Sequence, residues 1–268
     1  MRIMSFRSLR GIFGLLCLLA GMLSTPVHAE EKKQELLIYS GITMMPPMLE
    51  IARILEKTLD IRITISQGAS EDLYQSLRKS GQGDLYLPGA PEYRTRHMAE
   101  GLLGDYVTVG YNQATMIVPK GNPMQVKANL RELLRDDLAV VIGAPDRGAI
   151  GLETRQILKQ AGLYEQVVRK AAALASDSRS INRMLKQGDA DLIVNFRATA
   201  FFPDNASHME ALDLDPRIAR PQALLLNLTT VAKNPSAARR FMEYAAGPEG
   251  QAIFRKHGFL DNKTPGQP

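Results

Sequence analysis

Residues 36–48 read LLIYSGITMMPPM: an apolar run, a small-residue turn and a proline-marked helix start. Leu36, Leu37, Ile38 and Tyr39 fit a strand covered on both faces, because four consecutive apolar residues end on the turn pair Ser40-Gly41. Pro46 and Pro47 lack an N–H donor, and only the first turn of a helix leaves that donor unused, so a helix starts beside them. Leu49, Ile51, Ala52, Leu55 and Leu59 then recur at helical spacing. A strand that runs into a helix start presents free N–H groups and the positive end of the helix dipole, which favour an anion. That arrangement is common in α/β proteins, so its meaning depends on what the rest of the chain adds to it.

The pattern recurs downstream. Residues 61–66 (IRITIS) alternate as a second strand, Gln67-Gly68-Ala69 turn it, and Ser70 stands as an N-cap before Glu71, Asp72, Leu73, Tyr74 and Leu77. Residues 84–87 (DLYL) form a third short strand closing on Pro88-Gly89. This βαβαβ order predicts a parallel sheet. After a short helix over 92–100, the strand-like run 107–119 (VTVGYNQATMIVP) is broken at Tyr111-Asn112-Gln113 and is long enough to cross from one lobe to another. A helix is expected near 130–134. Strand 138–142 then meets a turn over 143–149 and a helix over 150–160, and residues 172–175 meet Ser176-Asp177-Ser178 and a helix over 180–186. Gly188-Asp189-Ala190-Asp191 leads into strand 192–194, as Gly83-Asp84 leads into 85–87. A second apolar run, 223–232 (ALLLNLTTVA), has the length to cross back, and two helices follow it. The repetition predicts an α/β chain of two similar lobes with a ligand cleft between them. Lobe one takes 30–109 and 231–259, lobe two 117–220, the crossings 110–116 and 221–230, and the polar, proline-containing stretch 260–268 is a flexible tail.

Residues 1–29 stand apart from this pattern. Arg2, Arg7 and Arg10 precede the apolar stretch 12–19, and Val27-His28-Ala29 forms a small-x-small cleavage site, the signature of a secretory signal peptide cut before Glu30. The apolar core is short for a membrane span, so the expected location is the periplasm. Cys17, the sole cysteine, lies in this segment, which leaves the mature chain without disulfides, a cysteine nucleophile or a thiolate metal site. The formal net charge of +5 shrinks as well: 30 basic residues face 28 acidic ones after cleavage, a net of +2 that gives no reason to expect a nucleic-acid partner.

Other chemistries have little to stand on. Met44, Met45 and Met48 are soft ligands of the kind that hold Cu(I), but three methionines beside a core helix are ordinary packing. His28, His97, His208 and His257 are scattered, with no HExxH, no histidine pair at helical spacing and no P-loop, so no cofactor or catalytic metal is expected.

Residues 246–259, AGPEGQAIFRKHGF, resemble the GP-x-(G/A)-x-x-I-F-x-(K/R)-x-G-F signature of type II periplasmic solute-binding proteins, most of all the molybdate-binding component of ABC transporters. The turn and helix from Ser70 and the two Gly-Asp strands at 83–87 and 188–192 add to the likeness, which runs from about 35 to 259. It implies the two-lobed type II periplasmic-binding fold with mixed, mostly parallel sheets. It also implies capture of a tetrahedral oxyanion, molybdate or tungstate first, by cleft closure in a monomer that serves an ABC permease of the inner membrane. The family's hydroxyl contacts fall on Thr43 and Ser70, and its backbone contacts on Ile150 and Ser178. Its tyrosine hydroxyl falls on Phe196, which cannot donate, so Asn195 or Arg197 is the expected substitute, or the site binds something else. Arg147 and Arg197 sit near the second-lobe turns, where an inward guanidinium would suit a carboxylate or phosphate. The bland readings are plain N-caps for Thr43 and Ser70 and an ion pair for Arg197. Phosphate, sulfate or a small organic acid is the alternative ligand, sensing by a membrane receptor the alternative role, and an enzyme on the same frame the competing class.

Overall fold

The computed structural model describes residues 34–260, so the expected signal peptide and all but the first residue of the expected tail lie outside the described residues. β1 (Gln34–Gly41) passes through a 3₁₀ turn at Ile42–Met44 into α1 (Met45–Leu59), with Pro46 and Pro47 in the first turn. α1 buries Met48, Ile51, Ala52 and Leu55, whereas Leu49 is 38% exposed. Helical spacing had put Leu49 on the core face, but it lies about 100° round the axis from Met48, which takes the buried position. β2 (Ile61–Gly68), α2 (Ser70–Ser80), β3 (Leu85–Leu87), α3 (Glu92–His97) and β4 (Leu103–Asn112) follow. One residue later β5 (Ala114–Pro119) belongs to a second sheet, so Gln113 is the passage between the two.

The second sheet is built from the next stretch: a 3₁₀ turn at Leu130–Leu134, β6 (Val140–Gly143), α4 (Ala149–Gln160), α5 (Tyr164–Lys170), β7 (Ala173–Ala175), α6 (Ser178–Gln187) and β8 (Leu192–Phe196). A 3₁₀ turn at Arg197–Phe201, α7 (Pro203–Ala206) and β9 (Met209–Leu212) complete it. β10 (Gln222–Thr229), α8 (Pro235–Ala246) and α9 (Pro248–Lys256) return to the first half.

The sheets run β2-β1-β3-β10-β4 and β7-β6-β8-β5-β9. Each places three parallel strands in the order second, first, third and then an antiparallel one, so the repeated motif of the sequence is a repeated topology. The two Gly-Asp turns play matching parts. The Asp84 carboxylate accepts from Leu37 N–H at 2.7 Å, and the Asp191 carboxylate accepts from Ala139 N–H at 2.8 Å. Each aspartate also donates its own N–H to the carbonyl of the same partner, at 2.8 and 2.9 Å. Both therefore lock the third parallel strand onto the first.

The run 223–232, expected to cross back between lobes, lies instead within the first sheet, where β10 pairs with β3 and β4. Its apolar character has another cause: a strand flanked on both sides buries Leu224, Leu226 and Leu228. The return is made earlier, by the irregular residues 213–221. Gln113 ties both passages together, since its Nε2 donates to the carbonyls of Leu214 at 3.1 Å and Ala219 at 2.8 Å. Each sheet has its own core, yet the halves interlock: Ala90 and Tyr93 pack in the second core, and Ala198 in the first.

Candidate functional site

Parallel strands β1, β2, β6 and β7 end at Gly41, Gly68, Gly143 and Ala175, and each leads by a short turn to a helix start. Ligand sites of open α/β sheets form at these carboxyl ends. Here the four starts meet around one small cavity of about 30 Å³, lined by Thr43, Ser70, Ile150 and Ser178 among others. A space of that order holds one or two waters or one compact ion. The small residues Gly41, Gly68, Ala69, Gly89, Gly148 and Ala149 complete the wall, which lets backbone rather than side chains face the interior.

The donors are left open. Helix starts carry N–H groups with no partner inside the helix, and a Ser, Thr, Asp or Asn cap normally takes one of them. The positions before the 3₁₀ turn at Ile42, before α2 and before α4 are Gly41, Ala69 and Gly148, and none supplies a side-chain cap. Ser70, read from sequence as a cap, is instead the first helical residue. Its Oγ accepts from Gly89 N–H at 3.0 Å, which leaves the hydroxyl proton free to be donated. Tyr86, buried so that its phenol stays protonated, donates to the Ser70 carbonyl at 2.9 Å and fixes this turn. The Thr43 and Ser178 hydroxyls make no hydrogen bond to a described residue.

Among the described residues no lysine or arginine lines the cavity, and the one charged residue there is Asp177. That carboxylate is already used: Oδ1 accepts from Ser180 N–H at 2.9 Å, and Oδ2 from the Ser176 and Ser180 hydroxyls at 3.0 and 3.2 Å. Burial raises the Asp177 pKa, but these hydrogen bonds outweigh it and hold the group below the ordinary aspartate value. Asp177 is thus the N-cap of α6 and has no oxygen in reserve for a protonated ligand. Glu71, in the first turn of α2, is turned aside in the same manner, with Gln75, His97 and Arg96 on its carboxylate.

Phe196 does line the cavity, at the place where a tyrosine hydroxyl was expected. Neither proposed substitute does. Asn195 is fully buried, its Nδ2 donates to the Ser178 carbonyl at 2.9 Å and to Asn182 Oδ1 at 2.7 Å, and its Oδ1 accepts from Phe196 N–H at 2.8 Å. It positions the Ser178 turn from behind. Arg197 leaves in another direction: its Nε bridges both Asp213 oxygens at 3.0 and 3.1 Å, its Nη1 donates to Gly258 O at 3.3 Å, and its guanidinium lies 4.4 Å from the Phe201 ring centre. Arg147 is exposed and absent from the wall. The sequence reading missed Gly89, whose only signal was a third turn at the end of a parallel strand.

The family model for bacterial extracellular solute-binding proteins matches residues 36–260. The chain belongs to that family. Among solute-binding proteins it is similar to the molybdate-binding protein ModA of Escherichia coli, 21% identical over 233 residues that cover 83% of this chain and 87% of that one. Its structure resembles the sulfate-binding protein SubI of Mycobacterium tuberculosis with a TM-score of 0.75 and 14% identity, covering 86% of this chain and 88% of that one. It also resembles a periplasmic thiamin binding protein with a TM-score of 0.74 and 16% identity, covering 87% and 86%. The fold is therefore the two-lobed type II frame of periplasmic binding proteins, and the family and these neighbours are binding proteins. Among the described residues of this solute-binding protein, no helix is long and apolar enough to cross a membrane, and no group of three or more His, Cys, Asp or Glu side chains could hold a metal ion.

Proposed function

We propose that this protein captures a fully deprotonated tetrahedral oxyanion in the cavity at the four helix starts and presents it to an ABC permease, without catalysing a reaction. The observation that carries this reading is a small space with three hydroxyls and three uncapped helix starts but, among the described residues, no cation. A dianion there is satisfied by N–H and O–H donors and helix dipoles alone. A protonated anion would need an acceptor, and the only carboxylate in the wall is engaged. Free molybdate and tungstate are the simplest such ligands, a molybdate-binding relative adds weight, and sulfate is the next. The anion touches both halves, so it stabilises the closed arrangement over an open one and shifts the population toward the form a permease recognises. Residues 1–29 act as the secretory signal that sends the chain, as a monomer, to the periplasm.

Calorimetric titration with molybdate, tungstate, sulfate, phosphate and chromate tests this directly. At least one should bind far below the millimolar range, and no binding by any of them rejects the reading. Ser70→Ala removes a hydroxyl donor to a charged ligand, a loss of about 1.5–3 kcal/mol, so affinity should fall roughly ten- to a hundredfold. Phe196→Tyr restores a donor at the cavity wall, and about tenfold tighter oxyanion binding is the expected result. If the titration curve of Phe196→Tyr overlays that of the parent, the ring does not aim its edge at the anion.

A further inference from the structure

The small cavity has a far larger neighbour. A pocket of about 460 Å³ shares Thr43 and Ser178 with it, and a free tetrahedral anion makes no use of that volume. Its walls combine two chemistries. Met45 and Phe202 provide apolar surface, while Arg179, Arg183 and Lys186 line it from α6, spaced four and three residues apart on one helix face. Asp204 is the one carboxylate opposite these three cations. Arg179 donates to the neutral Gln67 Oε1 at 2.6 Å, and Lys186 to the Asp204 backbone carbonyl at 3.4 Å. Arg183 makes no hydrogen bond or ion pair with any described residue.

Such a row works against the helix that bears it. Like charges four residues apart repel, and a cation in the first helical turn opposes the helix dipole. Arg179, the second residue of α6, incurs both penalties. An anionic group in the pocket would relieve them, and a guanidinium suits a carboxylate because it can donate two parallel N–H bonds.

We propose that the ligand is a phosphorylated carboxylic acid, with its phosphate in the small cavity and its carboxylate held by Arg183 beside Arg179 and Lys186. The proposal rests on the oxyanion reading above and specifies what the oxyanion is attached to. A phosphate monoester is mostly dianionic at neutral pH, so its head meets the same demand for donors without acceptors. The ester oxygen lies on the side of Thr43 and Ser178, which line both spaces, and the carbon frame lies against Met45 and Phe202.

The test is a calorimetric comparison of molybdate, sulfate and orthophosphate with phosphoenolpyruvate and 3-phosphoglycerate, on the parent and on Arg183→Ala. One of the phosphocarboxylates should bind at least tenfold more tightly than any inorganic anion. Arg183→Ala should erase most of that advantage and leave inorganic binding unchanged; the side chain is exposed, and far-UV circular dichroism checks the fold. If an inorganic anion binds as well as the phosphocarboxylates, or Arg183→Ala weakens every ligand alike, this inference is overturned while the oxyanion reading stands. If none of the five binds, both readings fall together.

Discussion

Gly89→Val will cost this protein at least a hundredfold in anion affinity while leaving it folded. Gly89 follows β3 in the first half, and a Cβ built on it would lie 2.9 Å from the Cβ of Ala149, the first residue of α4 in the second. Carbon atoms of separate residues essentially never approach that closely, so even alanine forces the two turns apart. Valine adds two methyl groups, and the next nearest atom is the Oγ of Ser70 at 3.7 Å, a residue that lines the proposed anion cavity. A space of about 30 Å³ cannot admit methyl groups and still hold an oxyanion. A hundredfold loss corresponds to about 3 kcal/mol, within reach of a cage whose donors on opposite sides no longer touch the ligand together. Gly89→Ala should fall between the two. The measurements are calorimetric affinity, thermal unfolding to show that the halves still fold, and small-angle scattering with and without molybdate. An affinity equal to the parent's would mean that the anion is held without this close approach, and the cage geometry would be wrong.

Gly89 also marks where the sequence stops being legible. Thr43, Ser70, Ile150 and Ser178 each follow a strand and a small-residue turn, so local chemistry alone could pick them out, and the folded chain brings them to one cavity. The repeated strand order was legible for the same reason, since periodicity and turn residues are local signals. A glycine after a proline reads only as a turn, because the contact that gives it meaning lies 60 residues away across the interface between halves. Asn195 and Arg197 failed in a related manner. Both flank Phe196, but the carbonyl that takes one and the aspartate that takes the other are tertiary partners, so neither reaches the cavity. The crossing after β9 was misplaced because an apolar run of ten residues has no mark that separates a connecting strand from one buried between two neighbours. The cationic face of α6 reads as a solvated helix surface until the wall opposite is known.

Glu153→Gln will remove a pH dependence that the parent carries between about pH 4.5 and 7, and will leave the variant more stable than the parent above pH 7. Glu153 lies on α4, four residues beyond Ala149, and is 4% exposed. Burial, with the nearby Glu92 charge adding to it and the Gln222 side chain opposing, pushes its carboxyl up from 4.5 to about 7. One Glu92 oxygen is itself buried with no hydrogen-bond partner among the described residues, and the Gln222 side chain is the one donor named against the Glu153 carboxyl. The sign follows from which state holds the proton. Above pH 4.5 the unfolded chain releases it and the folded protein keeps it, so stability is full below that value, declines with rising pH, and is lost once the folded group ionises near 7. The shift is worth about 3 kcal/mol, or on the order of 6–12 °C in melting temperature for a chain of this size. Urea unfolding of parent and variant at pH 4.5 and pH 8 isolates the effect, because every other titrating group is common to both. The variant's advantage should grow by roughly 3 kcal/mol between the two conditions. A difference that stays constant would mean that Glu153 is solvated or paired in the folded protein. The pair's location makes the result bear on binding too: Glu92 and Glu153 stand three and four residues beyond Gly89 and Ala149, the two residues whose approach closes the cavity wall. Ionising Glu153 charges both sides of that approach, so a gain in stability from Glu153→Gln at pH 8 should come with tighter, not weaker, anion binding.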